Sequence, residues 1–362
     1  MIVLRSSVCR IFIVMRTIRL SIHVADPGYC GVVRAGCGCS DLHTERAFFE
    51  CHTEDALLPS WRPGSVRDAL IGFLNRVEEV PTVDRVAFFD NDGTLWCERP
   101  SYGQLDFFLD ALRRHVAKDS SSGEREEFAA LLSGDQAAIA AIGLERIAAA
   151  LAGLFDGLTP QEFTAQVRAF IAGATHASLS RPLREVTYQP MLELLDELRR
   201  RDFTVGIVTG GGTEFVRAIS DDLYGVPAER VVGTLIGYQF TRDGEQRPVL
   251  RRTAAMLGTA NEGPAKVTNI QTQLGRRPIL AAGNSGGDRE MLEWALAAEG
   301  PSLALLIDHD DAKREFQYTS TAGTLVETEP ITDVGARLGW TIVSMARDWD
   351  VVFPQESAPS SE

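Results

Sequence analysis

Arg85-Val86-Ala87-Phe88-Phe89-Asp90-Asn91-Asp92-Gly93-Thr94-Leu95-Trp96 is the run from which the rest of the chain can be read. Val86 to Phe89 is short and wholly apolar, the pattern of a strand buried on both faces. It breaks into two carboxylates, Asp90 and Asp92, then Gly93, a residue free to take backbone angles that others avoid. Ligands of open α/β sheets gather beyond the carboxyl ends of the strands, which is where these two acids fall. Carboxylates so close repel each other unless a cation lies between them, and hard oxygen ligands suit Mg²⁺. The same residues also make an Asx/Gly turn after a strand for purely local reasons.

Upstream, Leu58 to Gly64 is loop-like, and Ser65 is placed to cap a helix reaching about Val77, with Val66, Leu70, Phe73 and Leu74 at helical spacing. This helix is expected on the sheet edge. Downstream, from about Trp96 to Arg184, strand-like runs vanish. Phe107, Phe108, Ala111 and Leu112 mark one helix, and the Ala-rich stretch Ala137–Phe155, broken by Gly143 and Gly153, marks a second. Thr159-Pro160-Gln161-Glu162 opens a third, with a threonine cap and proline in the first turn. After Tyr188-Gln189-Pro190 and an amphipathic helix over Met191–Arg201, Phe203 to Val208 is the next buried strand. It gives way to Thr209-Gly210-Gly211-Gly212-Thr213 and another helix, a cradle offering a hydroxyl and helix N-terminal amides to phosphate.

Val231 to Phe240 and Pro248 to Leu250, around Asp243-Gly244, predict a β-excursion. Lys266 begins a helix ending near Leu274; taken alone, such a lysine faces solvent. Pro278 to Ala282 is a further apolar strand, ending in Gly283-Asn284-Ser285-Gly286-Gly287-Asp288. Leu303 to Asp308 is another, and Asp308-His309-Asp310-Asp311 reads as its solvated end, with a second acidic site as the alternative. Trp340 to Met345 forms a last edge strand. The alternation predicts the α/β class, a Rossmann-like doubly wound parallel sheet with an inserted all-helical segment.

In this order the pieces resemble the four motifs of the haloacid dehalogenase superfamily, and Asp-Asn-Asp-Gly-Thr-Leu-Trp, Tyr-Gln-Pro-Met and Gly-Asn-Ser-x-Gly-Asp resemble its phosphoserine-phosphatase-like branch with a helical C1-type cap. The similarity covers residues 58 to 354. It implies that Asp90 is a nucleophile forming an aspartyl-phosphate and that Asp92 protonates the leaving group and then activates water. An acid at position 92 implies phosphatase or phosphomutase chemistry. Thr209, with Gly93 and Gly210, would bind the transferring phosphoryl group, and Lys266 would offset charge on nucleophile and phosphate. The implied Mg²⁺ set is Asp90, Asp92, Asn284 and Asp288. Here the chain departs from the family, because Asn284 stands where the first acid of motif IV is usual. An amide oxygen can ligate Mg²⁺ but contributes no charge. Binding through Asn284 as a neutral ligand is the expected outcome; an inward shift of Asp288, or poor metal affinity, are the alternatives.

The resemblance divides the chain into a core of 58–97 and 186–354, a helical cap of 98–185, a poorly structured extension of 1–57 and a disordered Ser- and Pro-containing tail of 355–362. It implies a Mg²⁺-dependent phosphomonoester hydrolase acting on a small phosphorylated metabolite, a phosphoserine-like compound being one candidate. A phosphomutase with the same motifs, or a phosphoryl-ligand binding protein impaired by Asn284, are the rival readings. Trp96, Glu98, Arg99, Tyr102 and Gln104 follow motif I and are expected near the pocket. Glu98 and Tyr102 are candidate substrate contacts, Glu98 either meeting a cationic group such as an amine or standing as a surface acid. His115 and His176 are expected as packed or exposed cap residues rather than ligands.

A chain of 362 residues with 44% hydrophobic and 24% charged content has the composition of a soluble globular protein of one or two domains. Its formal charge of −14 argues against a nucleic-acid surface. Cys9, Cys30, Cys37, Cys39 and Cys51 crowd the amino-terminal segment without paired CxxC knuckles, which disfavours a zinc module. Beyond them only Cys97 remains, suggesting a reducing, cytoplasmic compartment, with a periplasmic or exported location as the alternative. Arg5, Arg10, Arg16 and Arg19 interrupt every apolar run of residues 1–24, so neither a signal peptide nor a membrane span of ~20 residues is expected. Met15 is an alternative start. No pattern encodes an oligomeric state.

Overall fold

A computed structural model describes residues 2–6, 9–13 and 57–355. The chain forms two compact units, Met1–Leu57 and Leu58–Glu362. In the first, β1 (Ile2–Ser6) and β2 (Cys9–Ile13) pair antiparallel. The expectations for residues 14–56, including Cys30, Cys37, Cys39 and Cys51, lie outside the described residues, as does the tail beyond Gln355.

The second unit opens with α1 (Ser65–Arg76). Gly64, not Ser65, occupies its cap position, and no side chain caps it; Ser65 is already the first helical residue. The helix packs beside the edge strand β9 described below. β3 (Val86–Phe89) follows, and all four of its residues are buried. Five helices make up the insertion that follows it: α2 (Gly103–Lys118), α3 (Glu126–Ser133), α4 (Gln136–Ile142), α5 (Leu144–Gly153) and α6 (Pro160–Gly173). The Ala-rich stretch is thus two helices, bent by 92° at Gly143, whose φ of 89° ends the first of them. The expected start at Thr159 is present as a reciprocal box. The Thr159 hydroxyl accepts from Glu162 N at 3.2 Å, and Glu162 Oε2 accepts from Thr159 N at 2.8 Å, an arrangement contributing about 1 kcal/mol.

Beyond the insertion the chain runs α7 (Gln189–Arg200), β4 (Thr204–Gly212), α8 (Thr213–Tyr224), β5 (Val231–Arg242), β6 (Pro248–Leu257), α9 (Pro264–Gln273), β7 (Leu280–Gly283), α10 (Arg289–Leu296), β8 (Leu303–Asp308), α11 (Ile331–Leu338), β9 (Thr341–Ser344) and α12 (Met345–Asp348). The sheet order is β6-β5-β4-β3-β7-β8-β9, parallel except for the β5–β6 hairpin. β3 therefore lies at the centre. The chain winds outward through β4 and β5 on one side, then returns to wind through β7, β8 and β9 on the other. The topological switch point lies between β3 and β7, where Phe89 pairs with Ala282.

Side chains of β3 alternate between two apolar layers. Ala87 and Phe89 pack with Leu74, Leu194, Leu198 and Ile219 from α1, α7 and α8. Val86 and Phe88 pack with Ile270, Met291 and Val334 from α9, α10 and α11. Each buried Phe contributes roughly 1.5–3 kcal/mol, and a one-residue slip would turn Asp90 from the strand's end into the core.

The insertion shares the first of these layers. Phe107 stacks on Phe155 at 5.2 Å and meets Phe215 of α8 at 5.8 Å. The loop before its last helix, α6, is also joined to the sheet. Gly157 N donates to Arg252 O at 2.8 Å, Arg252 N donates to Leu158 O at 2.7 Å, and the Arg252 guanidinium lies 4.0 Å over the Phe163 ring. Among the described residues no single helix is long and apolar enough to cross a membrane.

Candidate active site

The carboxyl ends of β3, β4 and β7 bring the sequence motifs together at the switch point. Phe89 is the last residue of β3, and Asp90 N still donates to Ala282 O at 2.9 Å, continuing the ladder one step past it. The chain then turns sharply: Leu95 N donates to Asn91 O at 2.8 Å and Gly93 N to Trp96 O at 2.9 Å. Gly93 has a φ of 73°, and a Cβ there would stand 1.9 Å from Asn284 Nδ2. Only glycine meets both demands.

Lys266 is not the solvent-facing lysine that its isolated position suggests. It is 2% exposed, and its Nζ donates to Asp90 Oδ1 at 2.6 Å, to Asp288 Oδ1 at 2.6 Å and to Val208 O at 2.7 Å. Three acceptors match the three protons of an ammonium. Burial opposes the charged form of Lys266, but Asp288 and Asp90 outweigh it and hold the ammonium above its ordinary range. Asp90 is pushed well above the usual carboxylate range, first by burial and then by Asp288, with Lys266 opposing. Asp92 is raised too, mainly by burial; the Trp96 indole, whose Nε1 donates to Asp92 Oδ1 at 2.8 Å, pulls it back.

Asp288 has a second set of partners. Its Oδ2 accepts from the backbone amides of Asn284 and Ser285, each at 3.0 Å, and so closes the turn after β7. Asn284, 2% exposed, donates through Nδ2 to Glu98 Oε1 and to Ser320 Oγ, each at 3.2 Å. Thr209 is fully buried, and its Oγ1 accepts from Gly211 N at 2.9 Å. The strand continues past Val208 as far as Gly212, with an irregularity in its pairing there. Around Gly211 the site groups converge: a Cβ would lie 2.8 Å from Gln104 Oε1, 3.2 Å from Thr209 Oγ1 and 3.8 Å from Asp92 Oδ2. Gln104, from α2, accepts from Gly212 N at 2.8 Å and ties the insertion to the glycine-rich turn.

Glu98 is buried rather than a surface acid, and burial raises its carboxyl while His309 opposes that rise. Tyr102 is 41% exposed; burial of its hydroxyl and the charges of Glu98 and Asp92 push it upward. Arg99 lies 4.3 Å over the Tyr318 ring. His115 is exposed on α2 against Phe128, and His176 packs with its Nε2 2.6 Å from Arg99 O.

The expectation of a solvated Asp308–Asp311 strand end is overturned. His309 is 2% exposed, donates through Nε2 to Gly93 O at 2.9 Å and faces Glu315 Oε2 through Nδ1 at 3.4 Å. Asp310 accepts from Ala346 N at 2.9 Å, and Asp311 is paired with Arg314. Glu315 also accepts from Tyr188 Oη at 3.0 Å and from the Cys97 thiol at 3.0 Å. These polar residues are held inward because each finds a partner there. His309, Glu315, Tyr318 and Ser320 were not predicted at the site; their only sequence signal is polar residues after an apolar strand, the same pattern as any loop.

Among the described residues no group of three or more His, Cys, Asp or Glu is arranged around a common metal position. The oxygen donors nonetheless fit Mg²⁺. Asp90, the Asp92 carbonyl and the Asn284 amide supply only hard oxygens, and the buried carboxylates outnumber the single ammonium.

A family model described as haloacid dehalogenase-like hydrolase matches residues 87–293, and the chain belongs to that family. Among solved structures, a protein of unknown function from Bordetella pertussis Tohama I is 17% identical, with a TM-score of 0.46 over 72% of this chain and 98% of that one. A probable phosphoserine phosphatase from Vibrio cholerae is 14% identical, with a TM-score of 0.37 over 76% and 73%. A structure described as a phospho-aspartyl intermediate analogue of phosphoserine phosphatase is 16% identical, with a TM-score of 0.33 over 62% and 86%. No curated protein matches the sequence.

Proposed function

We propose that the protein is a Mg²⁺-dependent phosphomonoester hydrolase working through an aspartyl-phosphate on Asp90. The observation that carries this reading is the Lys266 ammonium bonded at 2.6 Å to both Asp90 and Asp288, beside Thr209. That arrangement offers a nucleophile, a fixed positive charge and a hydroxyl donor around one position. It suits a transferring phosphoryl group, whose charge lies on its equatorial oxygens.

Asp90, the Asp92 carbonyl and Asn284 would hold the metal; Asp288, engaged with Lys266 and two amides, would keep Lys266 and the turn in place. When bound, Mg²⁺ would neutralise phosphoryl oxygens and favour the ionised form of Asp90. The Asp90 carboxylate attacks phosphorus, and the bond to the ester oxygen breaks. Asp92 gives its proton to that oxygen, releasing an alcohol. A water then attacks phosphorus and loses its proton to Asp92, and the Asp90–phosphorus bond breaks to release phosphate. Trp96 orients Asp92 through the 2.8 Å indole bond. The helical insertion acts as the cap, excluding water and selecting a small phosphorylated metabolite, with Tyr102 and Arg99 near the entrance and the Glu98 carboxylate buried deeper. A cytoplasmic setting is part of the same proposal.

The test is release of inorganic phosphate from an aryl phosphate with and without Mg²⁺, beside Asp90→Asn and with no sugar-phosphate acceptor present. Mg²⁺-dependent release abolished by Asp90→Asn is expected. No phosphate release, with the phosphoryl group instead transferred to a sugar-phosphate hydroxyl when such an acceptor is added, would make the protein a mutase, and ester binding with neither release nor transfer would make it a binding protein.

A further inference from the structure

Asn284 leaves the metal shell one charge short of a carboxylate pair, yet a carboxylate stands against it. Glu98, 186 residues earlier in the chain, places Oε1 3.2 Å from Asn284 Nδ2 with both side chains buried. The contact is held from several sides. The same Nδ2 donates to Ser320 Oγ at 3.2 Å, and the Asn284 backbone amide is fixed by Asp288 at 3.0 Å. A Cβ on Gly93 would stand 1.9 Å from Asn284 Nδ2 and 2.9 Å from Glu98 Cδ, so the two side chains meet across the backbone of the motif I turn. An ionised carboxylate only accepts hydrogen bonds. It therefore takes the nitrogen of the carboxamide and leaves the oxygen as the end available to a cation.

We propose that Glu98 is a positioning residue for Asn284. It fixes which end of the amide serves the metal. Residues 98 and 284 form one exchangeable unit, a carboxylate and an amide, in which only one member can be an acid. This deepens the metal reading given above and rests on it. Partners that orient a metal ligand commonly alter affinity 10- to 100-fold when removed.

The test uses the full chain and two readouts besides turnover: Mg²⁺ affinity by titration calorimetry, repeated with Mn²⁺ by electron paramagnetic resonance, and the melting temperature in EDTA. Glu98→Leu should weaken Mg²⁺ binding on the order of 10- to 100-fold, with Glu98→Gln falling between it and the wild type, because a glutamine oxygen still accepts from Asn284. Asn284→Asp alone sets two buried carboxylates against each other and should lower the melting temperature in EDTA. The exchange Glu98→Gln with Asn284→Asp should recover both melting temperature and Mg²⁺ affinity.

Mg²⁺ affinity unchanged in Glu98→Leu would overturn the proposal, as would an exchange no better than Asn284→Asp. A wild-type protein that binds neither Mg²⁺ nor Mn²⁺ would overturn the metal reading itself and this inference with it. Wild-type metal binding with an inert Glu98 overturns this inference alone.

Discussion

Replacing Lys266 with Met keeps most of the aliphatic stem and deletes the ammonium, leaving Asp90 and Asp288 buried without the nitrogen each meets at 2.6 Å. Two carboxylates sharing that nitrogen lie about 5 Å apart, and at an effective dielectric of about 20 their repulsion is about 3 kcal/mol. Breaking a buried pair by removing one partner costs about 3–5 kcal/mol, so a loss of that size is expected in metal-free buffer near pH 8. The pH dependence has a definite sign. In the folded protein Asp90 is held above its unfolded value of 3.8, so ionising it opposes folding. That penalty is absent below the unfolded value and grows as pH rises through the folded one. Lys266 is a main influence pulling Asp90 down, so its removal raises Asp90 further and widens the window. The deficit should shrink to under about half on going to about pH 4.5. Urea unfolding of both proteins in EDTA at the two pH values reads this directly. A loss below about 1 kcal/mol, or one equal at both pH values, would refute the argument.

Gly93→Ala should destabilise by about 2–4 kcal/mol and weaken Mg²⁺ binding, since the substitution combines a left-handed φ with a clash against Asn284; chemical unfolding and a metal titration check it. Trp96→Phe removes the indole donor from Asp92 and should lower kcat roughly tenfold with KM nearly unchanged, read by steady-state kinetics. His309→Phe keeps an aromatic ring against Tyr318 but strands Glu315 and the Gly93 carbonyl, and a stability loss of about 3 kcal/mol is expected from thermal unfolding. A change under about 1 kcal/mol would show that the network beneath motif I bears little load.

The central strand was legible because a strand buried on both faces must be apolar throughout, and Val86–Phe89 meets that demand with no polar residue until Asp90. Lys266 was legible only in company: its sequence neighbourhood is that of a surface helix, and its burial arises from partners at positions 90, 208 and 288. The Thr159 box was legible because both of its hydrogen bonds are local. Ser65 misled for a related reason: its type suits a cap, but the backbone enters the helix one residue earlier, at Gly64. The His309–Glu315 network was not legible. Nothing within a few residues of Asp308 distinguishes a polar loop in water from one turned inward, and only the Gly93 carbonyl, Tyr188 and Cys97, brought from far along the chain, make burial affordable.

The two backbone bonds between Arg252 and the loop at Gly157 and Leu158 bear on how this chain can be recombined with others. A helical insertion that only rested on its sheet would be a module, exchangeable for another to change substrate. Here the loop before its last helix is sewn to an edge strand roughly a quarter of the chain further on, and Arg252 stacks on Phe163 from the insertion itself. A chimera exchanging residues 98–185 alone would leave the β6 amide and carbonyl at Arg252 without acceptor and donor, and its guanidinium without a ring. The natural unit of exchange is therefore discontinuous: the insertion together with the β5–β6 hairpin, travelling as two segments that inheritance must keep matched.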